Sequence, residues 1–315
     1  LANFGAAGTM VFYDALLPHV ARDDEVDRLS TSAYAIGYLG GGLLLLVQLL
    51  VIRNPGWIGA DESSTLPVRL ALLSVAVWWL IFALPLFRLL REPPRADPAA
   101  APAHPVLAGL RRLGRTAREL RRYRHALLML LAFLVYGDGI GTVFRMAARY
   151  SDELGFATAS ILAALLLTQF VGVPAAVGCG WIASRVGPKR TILGTLAVYV
   201  VACGLASQMR EEWHLFVLAG LVALVQGGAQ ALSRSLFASM VPRARSAEFF
   251  GLFAVCDRVA GVLGPLLFAE LSDTTGSTRI GVASVAVFFV AGAVLLARVD
   301  VNAGRQAAKQ DPGVN

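Results

Sequence analysis

The sequence predicts an all-α polytopic membrane protein. Of its 315 residues, 57% are hydrophobic and only 16% are charged, whereas a soluble domain carries about 25% charged residues. The mean hydropathy is +0.64, and the apolar residues are gathered into runs of roughly 20, long enough to cross a bilayer as helices. Bilayer lipid must therefore be the solvent for much of the surface.

Nine apolar segments are predicted to span the membrane. The first is partial or short and the others are full length, and they cover about residues 1–18, 33–53, 67–90, 126–147, 158–183, 191–208, 215–239, 249–271 and 279–298. The sequence begins at Leu1 rather than Met and enters apolar sequence without the basic leader of a signal peptide. We therefore expect a chain truncated at its N-terminus.

One long polar stretch divides the segments into three and six. Residues 91–105 hold five of the fourteen prolines and are expected to form an extended linker. The predicted organisation is a remnant of an N-terminal bundle at 1–90, a cytoplasmic linker at 91–125, a six-helix bundle at 126–298 and a cytoplasmic tail at 299–315. Six spans behind a long loop indicate one complete half of a two-half transporter.

The second part of the linker is predicted to be a basic amphipathic helix. One face carries Val106, Leu107, Leu110, Leu113, Ala117 and Leu120, and the other carries Arg111, Arg112, Arg115, Arg118, Arg121 and Arg122. Such a helix is suited to lying on an anionic lipid leaflet. A solvated connector between two bundles is an equally good interpretation.

The basic residues predict the orientation. Loops on one side hold twenty Lys and Arg residues, loops on the other side hold six, and the remaining two lie within spans. Because cytoplasmic loops carry the excess of basic residues, the linker and the C-terminus are predicted to be cytoplasmic. In a bacterium the membrane would be the inner membrane.

Several chemistries are disfavoured. The three cysteines lie within apolar segments without Cys-x-x-Cys spacing, and the four histidines fall at or beyond the segment ends, so we expect no metal site, cofactor or catalytic triad. No Gly-x-x-x-x-Gly-Lys-[Ser/Thr] motif for nucleotide phosphates is present. The basic charge collects in short loops rather than on a polar domain, which argues against nucleic-acid binding. The sequence does not read as an enzyme.

A short loop between the second and third spans after the linker carries a recognisable motif. Residues 180–190 read GWIASRVGPKR, which resembles the signature loop of the major facilitator superfamily, G-x-L-A-D-R-x-G-x-K/R-R. The matching residues are Gly180, Arg185, Gly187, Lys189 and Arg190. Ser184 stands where the family usually has Asp, so a charge-based lock at this loop should be weak.

Five further runs resemble one branch of that superfamily, the vacuole-effluxer-like family, named for a fungal autophagy-related exporter of amino acids. They are residues 12–18 (FYDALLP), 34–42 (YAIGYLGGG), 136–140 (YGDGI), 226–235 (QGGAQALSRS) and 248–251 (EFFG). The resemblance implies a major facilitator-like bundle of twelve helices, of which about nine are present here. It also implies a secondary transporter that exports small amino acids or related solutes by alternating access.

Asp138 and Arg145 are the first candidate functional residues. Asp138 lies mid-span between Gly137 and Gly139, and Arg145 lies two turns later on the same face. Ionisable groups at this depth cost about 2.5–3.5 kcal/mol on insertion scales and therefore face a bundle interior or a wet cavity. Asp138 is expected to titrate a coupling proton, to bind a substrate amine, or to pair with Arg145, and Arg145 alternatively snorkels to the membrane surface.

Gln226, Gln230 and Arg234 form the second candidate group. Spaced by four residues, they make one polar stripe on a helix, which either binds a substrate or forms an interhelical hydrogen-bond ladder. Arg234 needs a partner that the sequence does not identify. In the major facilitator fold the first and fourth helices of each half line the cavity, so the resemblance places Asp138, Gln226 and Gln230 there, with Asn3 as the contribution of the first half.

Two functions from different classes fit these features. The first is a transporter of small solutes, with protons as a further partner. The second is a membrane solute sensor or scaffold that binds a ligand without flux and signals through the linker helix.

Overall fold

The computed structural model describes residues 2–22, 24–61, 63–90 and 105–310, and every regular element in these ranges is helical. There are thirteen α-helices in the described ranges: α1 (Ala2–Val20), α2 (Val26–Arg53), α3 (Leu66–Leu89), α4 (Pro105–Glu119), α5 (Arg124–Glu153), α6 (Thr158–Val186), α7 (Pro188–Ala206), α8 (Glu212–Ala238), α9 (Ser246–Val259), α10 (Leu263–Thr275), α11 (Thr278–Ser284), α12 (Ala286–Ala297) and α13 (Val301–Lys309). Short 3₁₀ turns lie at Pro55–Ile58, Leu120–Arg122 and Arg243–Arg245. The all-α prediction is confirmed.

Eight helical segments in the described ranges are long and apolar enough to cross a membrane. They are α2, α3, α5, α6, α7 and α8, followed by two composite spans, Arg243–Thr275 and Thr278–Ala297, which contain α9 with α10 and α11 with α12. The predicted short span at 1–18 forms the 19-residue helix α1, which is not one of the eight.

Two features of the spans differ from the sequence prediction. The span predicted at 126–147 continues to Glu153, because a helix needs no apolar residues once it has left the hydrocarbon layer. The span predicted at 249–271 is broken between Val259 and Leu263. The break contains Gly261 with φ +107°, a left-handed conformation that glycine adopts without the steric cost of a Cβ.

Following the division that the sequence predicts, we call α1–α3 the N-terminal half and α5–α12 the C-terminal half. Within the C-terminal half, α8 packs against α6 and α7, and α12 packs against α5 and α7. Its core is rich in fully buried aromatic rings, including Tyr136, Tyr199, Phe250 and Phe289. The N-terminal half meets it through α2, which packs on α6 and α8, and through α1, which packs on α9.

The linker helix α4 docks against α9. Arg245 lies 2.6 Å from Glu119 and 2.7 Å from Glu248, and the Thr116 hydroxyl donates to Glu248 at 3.1 Å. The helix is amphipathic as predicted, but Ala117 is exposed and Thr116 is buried in its place. The apolar face of α4 is thus covered by α9, a partner that the sequence pattern alone does not identify.

Other parts of the linker prediction are only partly described. Residues 91–104 and the side chains of Val106, Leu107 and Leu110 lie outside the described residues. The arginines predicted on the polar face are all exposed: Arg111, Arg112, Arg115, Arg118, Arg121 and Arg122.

The segment predicted as a tail contains a short helix, α13. Asp300 caps it, because its carboxylate accepts from the backbone N–H groups of Asn302 at 2.9 Å and Ala303 at 3.0 Å. Its buried residues are Gly304 and Ala308, and Arg305 donates to Ser239 at 3.3 Å. We call the side of the molecule that carries α4 and α13 the linker side, and the other the opposite side.

Candidate functional site

A buried ion pair joins the two halves on the linker side. Arg234 of α8 is 4% exposed, and its Nη1 lies 2.6 Å from the Asp14 carboxylate of α1. Its Nε and Nη2 donate to the Ser30 hydroxyl of α2 at 3.2 and 3.0 Å. Ser30 in turn donates to the Ala231 carbonyl at 2.7 Å. The partner of Arg234 that the sequence left unidentified is therefore Asp14, and we call Asp14–Arg234 the interhalf ion pair.

Further polar contacts surround the interhalf ion pair. Ser235 donates to the Asp27 carboxylate at 2.5 Å. Ser246 of α9 donates to the Ala15 carbonyl at 3.0 Å and lies 3.0 Å from Nε2 of His19. The polar contacts between the halves thus gather at the ends of α1, α2 and α8 on the linker side.

Glycines let α2 lie close against the C-terminal half. Thr31 packs directly on Gly180 of α6. The Tyr38 ring fills the space beside Gly227 of α8, where an added Cβ would lie 2.7 Å from Cε2 of the ring, and it also covers Gly172. Gly180, a residue of the signature loop, therefore serves close helix packing between the halves.

The two glutamines of the α8 stripe have a different environment from Arg234. Gln226 and Gln230 are both half-buried, and neither side chain has a hydrogen-bond partner among the described residues. They lie one and two turns from Arg234 in the direction of the opposite side. The predicted stripe therefore divides into an arginine that joins the halves and two amides with free hydrogen-bonding capacity.

Asp138 is engaged by backbone groups at the break between α9 and α10. It is 2% exposed, and its carboxylate accepts from the N–H of Gly261 and, at 2.8 Å, from the N–H of Gly264. The Arg145 guanidinium lies along Gly141 and against Gly261, but Asp138 and Arg145 form no ion pair in the described structure. The interpretation of these two residues as a static pair is therefore wrong. Both side chains, which lie on α5, are directed at the break between α9 and α10.

Asp257 is a carboxylate of the same region that belongs to neither candidate group. It lies on α9, one turn before Gly261, with an exposed side chain and no hydrogen bond or ion pair within the described ranges. The sequence signal for Asp257 was the presence of a carboxylate within a predicted apolar span. Asn3 lies on α1, but its side chain is outside the described residues.

The signature loop holds the end of the last span. Gly187 has φ +92°, which turns the chain sharply between α6 and α7. Lys189 donates to the carbonyls of Ala297 and Val299, both at 2.8 Å, at the C-terminal end of α12. This placement suits a cation, because the C-terminal end of a helix carries partial negative charge.

The other residues of the loop have mainly local contacts. Arg185 stacks on Trp181, with Cζ 3.7 Å from the ring centroid, and the Ser184 hydroxyl donates to the Trp181 carbonyl at 2.7 Å. Arg190 is exposed. Ser184 thus makes no charged contact at the position where the family usually has Asp.

One apolar cavity of about 130 Å³ lies inside the C-terminal half near the opposite side. Its polar lining residues include Thr142, Thr168 and Ser151, whose hydroxyls donate to carbonyls of their own helices. A polar solute would find few free partners there, so the amides of α8 are the better candidate site. No cluster of metal-ligating side chains occurs in the ranges that the structure describes.

Comparisons with known proteins agree with this architecture. The family model described as vacuole effluxer Atg22 like matches residues 18–309. An uncharacterized MFS-type transporter, YxiO of Bacillus subtilis, is 33% identical over 305 residues, which are 95% of this chain and 69% of that protein. Autophagy-related protein 22 of Yarrowia lipolytica is 29% identical over 313 residues. That match covers 90% of this chain, which spans about half (52%) of the fungal relative.

Solved structures of similar shape support the same fold. The E. coli fucose:proton symporter FucP superposes with a TM-score of 0.65 at 18% identity, covering 92% of this chain and 73% of that one. FucP in the outward conformation gives 0.64 at 17% identity. These likenesses show the major facilitator fold. On the match of the family model, the chain belongs to the vacuole effluxer Atg22-like family of the major facilitator superfamily.

Proposed function

We propose that the chain acts in a secondary transporter that moves small solutes by alternating access. The observation that carries this proposal is the interhalf ion pair with its Ser30 contact, which joins the two halves at the linker side. Alternating access requires such contacts to form on one side of the binding site and to break when the halves rock. The interhalf ion pair is a localised polar contact that can form and break, beside the close packing of α2 on α6 and α8.

We further propose that the linker side faces the cytoplasm, of the inner membrane in a bacterium. The support is the excess of basic residues in the loops on that side. With the halves joined there, the structure corresponds to a state closed to the cytoplasm. The exposed arginines of α4 would then face the anionic headgroups of that leaflet.

The proposed substrates are amino acids or related small solutes, moved in the direction of efflux. Family membership supports this class, and the chemistry of the site is compatible with it. Gln226 and Gln230 offer unpaired amides to a carboxylate or an amine, while Asp257 offers a negative charge without an ion-pair partner among the described residues. A zwitterion presents complementary groups to each of these.

A coupling proton, where one is used, is best placed on Asp14. Protonating this carboxylate would remove the charge that holds Arg234 and would release the contact between the halves. Asp138 lacks such a contact, because its partners are backbone N–H groups within the C-terminal half. A pH dependence of uptake that is lost in Asp14→Asn and kept in Asp138→Asn would support this assignment, whatever the rate of uptake, and the reverse pattern would contradict it.

The test of the proposed function is counterflow in proteoliposomes. The protein, expressed from its complete coding sequence, is reconstituted with unlabelled amino acids inside, and uptake of labelled amino acids is measured. Trans-stimulated uptake is expected, with a KM raised in Gln226→Ala and Gln230→Ala but not in the control Gln208→Ala, which lies in an exposed turn. Ligand binding without flux, in folded protein, would instead favour a solute sensor.

A further inference from the structure

The break between α9 and α10 leaves two helix ends inside the membrane span. A helix end exposes backbone groups without intrahelical partners, N–H groups at the start and carbonyls at the end. The N-cap residue of α10, Val262, has no polar side chain and cannot cap the helix itself. In hydrocarbon each unsatisfied group costs several kcal/mol, so another element must satisfy these ends.

Helix α5 meets both ends with charges of the appropriate sign. Asp138 accepts from the N–H groups of Gly261 and Gly264 at the start of α10, where the helix dipole is positive. The Arg145 side chain is exposed, and its guanidinium reaches back along α5 to lie against Gly261, just past the end of α9, where the dipole is negative. The two side chains lie two turns apart on α5 and converge on the same break.

Small residues make this convergence possible. At Gly141 an added Cβ would lie 2.6 Å from Nη2 of Arg145, so the guanidinium would have to leave its present position. At Gly264 an added Cβ would overlap the Thr142 hydroxyl, and this residue also lies close to the backbone carbonyl of Asp138. Gly261 itself has positive φ. The approach of α5 to the break thus depends on three glycines.

We propose that Asp138 and Arg145 are positioning residues that hold the α9–α10 break as the hinge of the C-terminal half. The role of this hinge in transport rests on the proposed function, whereas the geometry of the break does not. Asp138 is nearly fully buried and has both carboxylate oxygens occupied by backbone donors, so it is poorly available to a substrate. Movement of α10 relative to α9 would then change access from the opposite side while Asp138 keeps the N–H groups at the start of α10 satisfied.

Cys256 provides a native probe of the hinge. It lies on α9 one turn before the break, where its carbonyl accepts from the N–H of Ala260 at 2.7 Å, and its side chain is half-buried. The other two cysteines, Cys179 and Cys203, are buried. The rate of maleimide labelling at each cysteine can be measured by mass spectrometry without removing any of them.

The experiment compares Asp138→Asn and Arg145→Gln with matched controls on the same helix, Asp152→Asn and Arg149→Gln, which are exposed. Asp138→Asn removes the charge that accepts two backbone N–H groups at the break, and we expect Cys256 labelling to rise by about tenfold, the effect of one charge-assisted hydrogen bond. Arg145→Gln removes a charge that lies against Gly261 and should raise labelling in the same direction by a smaller factor. The controls should stay within about twofold of wild type. Arg145→Lys keeps the charge and should restore slow labelling. In counterflow the hinge variants should lower kcat and leave KM unchanged.

The outcomes separate this inference from the proposed function. Because labelling needs no substrate, faster labelling of Cys256 without any transport would support the hinge and contradict the transporter. Labelling unchanged in both hinge variants, or a KM that rises while kcat and labelling stay constant, would overturn the inference and make the two residues substrate ligands. If Asp138→Asn fails to fold, the contrast between Arg145→Gln and Arg145→Lys decides the matter.

Discussion

Replacing Arg234 with Gln should open the linker side. The side chain is 4% exposed, and its removal would leave the Asp14 carboxylate, itself 21% exposed, without its cationic partner. Breaking a buried ion pair by removing one partner costs 3–5 kcal/mol. Because Asp14 keeps some access to solvent, we take the lower end, about 3 kcal/mol, which corresponds to a factor of about 150 in the equilibrium between closed and open states.

This factor predicts a measurable change in population. If the closed state holds about 99% of the molecules in wild type, the variant should hold about 40%. The position to monitor is the contact of His19 with Ser246, whose Nε2 and Oγ atoms lie 3.0 Å apart across the halves. Cysteines introduced by His19→Cys and Ser246→Cys, joined by a short bifunctional thiosulfonate, would report the closed state as cross-linked protein.

A matched control and a double variant make the test specific. Arg28→Gln removes an exposed arginine on the same side and should leave the cross-linking yield unchanged. Asp14→Asn combined with Arg234→Gln removes both buried charges and should recover much of the closed population, since the remaining cost is lost hydrogen bonding. A yield in Arg234→Gln equal to that of wild type would refute the reasoning, as would a double variant that is more open than either single one.

Three further predictions concern packing, helix capping and pH. Gly227→Ala should lower the free energy of unfolding by about 1–3 kcal/mol in thermal denaturation, because the added Cβ meets the Tyr38 ring. Gly220→Ala, which has open space beside it, should be neutral or stabilising. Equal effects of the two substitutions would contradict the argument. Lys189→Met should lower stability by about 1.5–3 kcal/mol through loss of its bonds to the end of α12, unlike Arg190→Met at an exposed position. The backbone N–H donors of Ala303 and Asn302 lower the pKa of the Asp300 carboxyl. The Asp300 cap on α13 should therefore be complete above about pH 4 and lost as the pH falls through that lowered pKa. Hydrogen exchange in α13 should then accelerate in wild type but not in Asp300→Ala.

Hydropathy predicts most of the architecture because each helix that crosses the bilayer needs an apolar run of about 20 residues. The predicted starts and ends of α6 and α8 agree with the structure to within about three residues. The break at Gly261 was not predicted, because a composite span and a continuous one have the same hydropathy. Helix α13 was missed because it is short and polar overall, although Asp300 in front of it was an available capping signal.

The partners of polar residues were much harder to predict than their positions. Periodicity places Arg234 on a face of α8, but its partner Asp14 is 220 residues away, on a helix whose packing no local pattern specifies. Asp138 was suspected of pairing with Arg145 because both lie on one face of α5. Instead, both side chains contact the break between α9 and α10, which the sequence pattern did not predict.

These contacts indicate how the membrane-embedded polar groups divide their roles. A buried charge needs a polar partner, and Arg234 and Asp138 are directed at structural partners, a second half and a helix end. An uncharged amide costs less when left unpaired, and Gln226 and Gln230 are the residues of the stripe without partners. A binding site that must stand empty for part of each transport cycle is therefore better built from amides than from buried charges. On this argument, Gln226→Ala should change substrate affinity while leaving the cross-linking of the halves unchanged, and Arg234→Gln should do the reverse.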